Sequence, residues 1–329
     1  MFSRRHVLGA SAGLAASGAL HPVAANAQPS WPVQPVRLVV PYAPGGPTDV
    51  PARLIADELS KSLPQRVVVE NRTGSGVVIG TDAVAKAPKD GHTLLYTTIS
   101  HATLRAIFRN LPFDPVGDFT PVALTGVIPM ILMTGRNMPG ANLGEVIAAI
   151  REKPGEYTYG SSGAGGALHL AAELFLLKAG GLKASHVPYR GSAAAMPDLL
   201  NGNLSMMLDV AASALPFVQR GEVKGMAVSS AARIPQAPDL PTFQEAGLPG
   251  YEAYTWHMVL TPSGTPSATV QTINRAINGV MANPAVRQRL QDLTMQTRSD
   301  STPESARAWL QEELQKWEPI IRDAGITAN

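Results

Sequence analysis

Ser161-Ser162-Gly163-Ala164-Gly165-Gly166-Ala167-Leu168-His169-Leu170-Ala171-Ala172-Glu173-Leu174-Phe175-Leu176 is a loop of small residues running into a helix-forming segment. The β-rich run Tyr157-Thr158-Tyr159-Gly160 leads into it. A strand, a glycine loop and a helix in that order leave backbone N–H groups free at the helix start. The helix dipole is positive there, and anions bind. Two serine hydroxyls add donors without adding charge. A second stretch repeats the order: the strand-like run Val36 to Ala43, the loop Pro44-Gly45-Gly46-Pro47-Thr48-Asp49, and a helix to Ser62. Two such ends facing each other would grip a small anion between them.

Outward from these two stretches, strands alternate with helices. Further strands are expected at 66–70, 92–98, 122–134, 185–189, 204–209, 225–229 and 254–260. Helices are expected at 77–86, from Ser100 to about Asn110, at 142–153 with Asn142 as N-cap, at 192–200, at 214–220, and from Pro266 to near the end. The strands are nearly continuous apolar runs, as in parallel sheets covered on both faces. The class is therefore α/β with mainly parallel sheets. The apolar runs 122–134 and 254–260 read as two crossings between domains. A first domain of residues 28–128 plus 254–329 would surround an inserted second domain of residues 129–253. That is a two-lobed protein with ligand in the cleft, at the C-terminal ends of strands, and hinge closure around it.

Composition narrows the function. The chain of 329 residues is 45% apolar, which is globular rather than disordered. Aromatics at 5% are too sparse for stacking single-stranded nucleic acid. No dense basic run is present, so nucleic acid is not an expected partner. Cysteine is absent, so neither disulfides nor a Cys-type zinc site is needed. The N-terminus reads as a targeting segment. Ser3-Arg4-Arg5 is the charged region, Val7 to Leu20 the apolar one, and Ala25-Asn26-Ala27 a small-x-small cleavage site. Ser3-Arg4-Arg5-His6-Val7-Leu8 is twin-arginine-like. Cleavage after Ala27 would release an exported protein starting at Gln28. Losing Arg4 and Arg5 takes Lys plus Arg from 27 to 25, against 25 Asp plus Glu, which is near neutrality.

Catalytic motifs fail one by one. Gly74-Ser75-Gly76 lacks the third glycine of a dinucleotide fingerprint, because Ile79 stands there. Gly160-x-Ser162-x-Ala164 lacks the final glycine of a nucleophile elbow. The seven histidines show no metal-binding spacing. No cofactor, metal or catalytic residue is expected. Asp49 reads as a brace of its own helix, Arg190 as a solvated turn residue, and Glu173 as the solvent side of its helix. Trp256 reads equally well as cleft wall or as core.

The ordered set of short motifs resembles the Bug family, the periplasmic solute receptors that include the TctC component of tripartite tricarboxylate transporters. The matching stretches are Pro41 to Asp49, Val69-Glu70-Asn71-Arg72, Ala83 to Leu95, Tyr159-Gly160-Ser161-Ser162-Gly163, Val187-Pro188-Tyr189-Arg190-Gly191, Pro238 to Thr242, Glu245-Ala246-Gly247 and Gly264-Thr265-Pro266. The resemblance implies a Venus flytrap fold whose ligand, usually a carboxylate, is held by backbone amides and water at two facing loops. By residue match the first jaw is Tyr42, Pro44, Gly45, Gly46 and Thr48. The second is Ser161, Ser162, Gly163 and Gly165. Thr98, Ser100 and His101 fall where the family offers side-chain donors. Tyr189 and Asp209 end strands of the inserted domain and are expected to face the cleft. Val77-Val78-Ile79-Gly80 departs from the family's loop and is not assigned to ligand. The implied partners are a small organic acid and membrane transporter subunits, with the receptor itself monomeric. An exported hydrolase-like enzyme using the same cleft, or a sensor without transport, is the alternative.

Overall fold

The computed structural model describes residues 31–327. The expected leader, residues 1–27, lies outside the described residues. Strand β1 (Val36–Val40) opens the first lobe, and helix α1 (Asp49–Ser62) follows the first glycine loop. Next come β2 (Val67–Asn71), α2 (Val78–Ala85), β3 (Thr93–Thr97) and α3 (Ser100–Ile107). The order β2-β1-β3 is parallel, with Arg37 opposite both Val68 and Thr93. Each connection is a βα unit, so each strand ends where a helix begins.

Strand β4 (Phe119–Thr134) is 16 residues long and almost wholly buried. It is followed by α4 (Leu143–Glu152), β5 (Thr158–Ser161), α5 (Ala167–Lys178), β6 (Ser185–Pro188), α6 (Ser192–Asn201), β7 (Met206–Val210), α7 (Ala211–Gln219) and β8 (Lys224–Val228). Strand β9 (Tyr254–Pro262) then returns, and α8 (Ser267–Ala282), α9 (Pro284–Asp292), β10 (Gln296–Thr297) and α10 (Pro303–Asp323) complete the chain. β4 is the spine. Its first part pairs antiparallel with β9, from Phe119 opposite Pro262 to Pro129 opposite Tyr254. Its last part pairs antiparallel with β7 and β8, where Ile131 lies opposite Asp209 and Val228. One ten-stranded sheet, β2-β1-β3-β9-β4-β7-β5-β6 with β8 and β10 both on β4, thus runs through both lobes.

Two expectations are corrected here. The sheet is parallel only within each lobe, and both crossing strands are antiparallel to their neighbours. The C-terminal stretch is not one helical run. Asn283-Pro284 breaks it, because Pro284 has no N–H to continue α8, and Asn283 instead caps α9 by accepting from Ala285 N. Apolar packing crosses the lobes, with Val146, Ile150, Leu170, Phe175 and Leu208 in the same core as Val36 and Leu94. A large core joins β1, β3, β4 and β9 to α1, α8 and α10. A smaller one, including Met133, Ala195, Leu199, Met207 and Leu215, sits under α6 and α7. Among the described residues no helix is long and apolar enough to cross a membrane.

Candidate functional site

A cavity of about 870 Å³ lies between the lobes, and both glycine loops contribute to its wall. Its surroundings share one property. Thr48, Val77, Ser100, Gly166, Gly191 and Val210, at or beside the starts of α1, α2, α3, α5, α6 and α7, all line it. None of these six helices has a side-chain N-cap bond. The helices whose N-caps are side chains, α4 at Asn142, α9 at Asn283 and α10 at Thr302, start away from the wall. Helix α8 also lacks a side-chain cap, and it too starts elsewhere. Uncapped helix ends carry unsatisfied donors and partial positive charge. Six of them converge on a space whose wall includes neither Lys nor Arg. A groove of about 580 Å³ between α1 and α9 differs in kind, since Arg53 and Arg289 are interleaved there with Asp49, Asp57 and Asp292.

The first loop is braced by a carboxylate. Asp49, 1% exposed, accepts from Gly45 N (2.8 Å), Arg53 Nε (2.8 Å) and Asn71 Nδ2 (2.7 Å). Asn71 Nδ2 also donates to Tyr42 O at 3.0 Å. Burial pushes the Asp49 carboxyl up, but the bonds from Arg53, Asn71 and Gly45 outweigh it and hold the group below its ordinary value. Tyr42 Oη and Thr98 Oγ1, 2.7 Å apart, join the loop to the end of β3.

The second loop is braced by imidazoles. Gly165 N donates to His169 Nδ1 at 2.9 Å, so His169 carries its proton on Nε2, 3.7 Å from the Glu173 carboxylate. The His169 and His186 rings stack with centroids 3.7 Å apart. His186 Nε2 lies 2.7 Å from Ser161 Oγ, which in turn accepts from Gly163 N at 3.2 Å. Burial, then the neighbouring His169, push His186 down to about 4. The Tyr159 hydroxyl donates to Glu173. Burial raises the Glu173 carboxyl, and the bonds from His169 and Tyr159 more than reverse it. Glu173 is therefore part of this brace, and its expected solvent position is corrected. Gly165 itself has φ +72°, and a Cβ there would run into the Ile107 side chain. Only glycine lets the second loop lie this close to α3.

Of the residues read from the sequence, Tyr42, Thr48, Thr98, Ser100, Ser162, Gly163, Gly165 and Asp209 line the cavity. Pro44, Gly45, Gly46, His101, Ser161 and Tyr189 do not. Pro44 and Gly45 face the α1–α9 groove instead. Ser161 is fully buried on His186. Tyr189 Oη donates to Asp198 at 2.6 Å, which turns it away. His101 is buried edge-on to Phe119 with Nε2 on Pro115 O at 2.8 Å, and burial pushes it down to about 4. Trp256 is core: it is fully buried, with Nε1 donating to Glu313 at 2.8 Å. Arg190 is exposed. Asp209 is 1% exposed, and burial pushes its carboxyl up to about 7 against bonds from Val210 N and Ser192.

Further residues complete the wall. Gly74, Ser75, Gly76 and Val77 line the cavity, with Val77 in the left-handed region at φ 74°. Leu104 and Ile107 of α3, with Phe108 just after it, form an apolar sector, and Thr255 and His257 of β9 lie on the wall as well. For the last two a signal existed: alternation along a strand puts 255 and 257 on the face opposite Trp256. Among the described residues no group of three or more His, Asp or Glu side chains converges to hold a metal ion.

Two α/β lobes joined by crossing strands, with helix starts pointed into the space between them, define a periplasmic-binding-protein fold. The chain belongs to the tripartite tricarboxylate transporter receptor family, whose model matches residues 51–326. It is 35% identical to protein BugT of Bordetella pertussis, over 95% of each chain. Among solved structures it resembles R. palustris Rpa4515 with adipate, at 35% identity and TM-score 0.80, covering 91% of this chain and all of that one. It also resembles MatC of Rhodopseudomonas palustris with bound malate, at 33% identity and TM-score 0.77, covering 88% of this chain and all of that one. The family is one of solute-binding receptors, not an enzyme class, and its members of known structure include carboxylate binders.

Proposed function

We propose that this protein is an exported receptor that captures a small organic carboxylate in the interlobe cavity and hands it to a membrane transporter. The observation that carries the reading is the ring of six uncapped helix starts around a wall without Lys or Arg. Neutral donors and dipoles can solvate a carboxylate without stranding a buried cation when the cleft is empty. Tyr42, Thr48, Thr98 and Ser100 on one side, with Ser162, Gly163 and Gly165 on the other, are the contacts proposed. Pro44, Gly45, Gly46, Ser161, His101 and Tyr189 support the wall from behind. Residues 28–128 with 254–329 would move against residues 129–253, as a monomer, in the periplasm after cleavage at Ala27. Family membership and the adipate- and malate-bound relatives support the ligand class.

The test is thermal unfolding of residues 28–329 against a panel of organic acids. A ligand bound only by the folded state adds about 2.7 kcal/mol at a hundred times its dissociation constant. A clear rise in Tm with some carboxylates and none with matched amines or sugars is the expected outcome. A panel without any carboxylate response, from protein shown by mass spectrometry to carry no bound acid, would sink the reading.

A further inference from the structure

Ten buried side-chain polar atoms have no hydrogen-bond partner among the described residues, and one of them belongs to a residue of the cavity wall: His257 Nε2. The imidazole is fully buried on β9, the strand that returns between the lobes. Its other nitrogen is occupied. Nδ1 lies 3.1 Å from Tyr96 Oη, which places Nε2 at the free end of the ring.

The neighbours frame the assignment of the ring proton. Thr125 Oγ1 spends its hydrogen on His257 O at 3.0 Å. Tyr96 Oη has one hydrogen and two acceptors, Nδ1 at 3.1 Å and Thr125 Oγ1 at 3.4 Å. Giving that hydrogen to the shorter contact makes Nδ1 an acceptor and assigns the ring proton to Nε2. Burial pushes this imidazole down to about 3, so it is neutral at any working pH. The result is a fixed, uncharged N–H donor without a protein partner, at a wall whose other donors come from loops and helix starts.

We infer that His257 is a specificity-determining residue of the cavity, whose Nε2–H takes an acceptor oxygen on the ligand remote from the carboxylate held by the two loops. The preferred acids then carry a second carboxylate, a carbonyl or a hydroxyl, and simple alkanoates bind less well. Trp256 and Thr255 keep the donor in place, since the alternation of β9 anchors Trp256 on Glu313 and returns Thr255 and His257 to the wall. This inference rests on the receptor reading above.

The experiment is calorimetric binding of matched acids to wild type, His257→Phe and His257→Gln. The pairs are hexanoate with adipate and pentanoate with 4-oxopentanoate. Wild type should favour the acceptor-bearing member of at least one pair by about tenfold or more. Preference for the oxo acid as well as adipate marks a general acceptor contact. Preference for adipate alone marks a second carboxylate. His257→Phe should bring both members within about twofold of each other while leaving the plain alkanoate within about threefold of wild type. His257→Gln, whose side-chain amide can offer an N–H near the lost Nε2, should restore part of the preference. If Nε2–H is an idle core donor, His257→Phe raises Tm and leaves the preference intact, which overturns the inference while the receptor reading stands. Equal loss of both members of a pair in both variants also overturns it. If none of the four acids, nor any other in the panel, binds wild type, both readings fall together.

Discussion

The two loops that face each other across the cavity have similar backbones and opposite supports. The first is held by an anion: Asp49 gathers Gly45 N, Arg53 and Asn71 on one buried carboxylate. The second is held by neutral rings: His169 receives Gly165 N, and His186 backs Ser161 beneath Gly163. A carboxylate held below its ordinary value by Arg53, Asn71 and Gly45 stays charged through the neutral range and into acid. In the second, burial and the neighbouring His169 hold the His186 imidazole down to about 4, so acid that protonates His186 attacks this support. One loop is thus supported by a charged group and the other through a neutral imidazole, and each support can be attacked separately.

The largest effect is expected on the first side. Asp49→Ala removes the shared acceptor of three hydrogen bonds, one of them from the Arg53 guanidinium, a loss of about 3 kcal/mol in unfolding free energy by denaturant titration. A variant within 1 kcal/mol of wild type, on the order of the error for a surface change, would remove Asp49 from the comparison. Next comes Gly165→Val on the second side. Its side chain must displace Ile107 and hold a positive φ, so affinity for the acid giving the largest thermal shift should fall about a hundredfold or more. Unchanged affinity would show that the second loop need not approach α3 to bind. His169 is third. Asparagine places an acceptor near the position of Nδ1, so His169→Asn should bind within a few-fold of wild type while His169→Ala loses about tenfold. Equal losses in the two variants would assign His169 to packing alone.

Acid should separate the supports by a smaller margin. His186 has a folded value of about 4, below the ordinary value of 6.5. Its contribution to stability is complete above pH 6.5 and is lost as pH falls from there toward 4, because the unfolded state takes up the proton first. After allowance for its partial exposure this amounts to about 1 kcal/mol. His101 and His257 act in the same sense, so the readout is the difference between His186→Phe and wild type. That difference should shift by about 1 kcal/mol in favour of the variant between pH 7 and pH 4.5.

How much of this was legible in the sequence follows from geometry. The two strand–loop–helix stretches stand out because glycine, proline and periodic apolar residues have local meanings. The cavity wall is a matter of direction, which local patterns give only by parity. Ser161 and Ser162 are adjacent and chemically alike, yet the strand end turns Ser161 to His186 and Ser162 to the cavity. Tyr189 satisfies its hydroxyl on Asp198, ten residues into the turn and helix that follow β6, a pairing no spacing rule announces. His101 looked like a donor beside Ser100, but one step along α3 carries it to Phe119 and Pro115. The convergence of six helix starts is a property of the sheet order, which brings β1, β3, β5 and β7 together at their C-terminal ends. No single segment contains it.

Asp209 is the smallest and most informative test, because it is the one acid on a wall otherwise built for an anion. Its folded value of about 7 lies above its ordinary 3.8. Whatever stability the protonated form provides is complete below pH 3.8 and is lost as pH rises through 7. Asp209→Asn keeps an acceptor for Val210 N and removes the charge, so it should be more stable than wild type at pH 8, by a margin that shrinks steadily as pH falls toward 3.8. The same charge lies beside any bound carboxylate. Above pH 7 wild type should lose affinity for an acid several-fold relative to pH 5.5, and Asp209→Asn should not. If both proteins bind equally across that range, the Asp209 carboxyl is too well screened to matter, and the ring of helix starts alone sets the field. If only wild type falls off, one buried carboxyl tunes a cavity whose attraction for anions comes entirely from neutral groups.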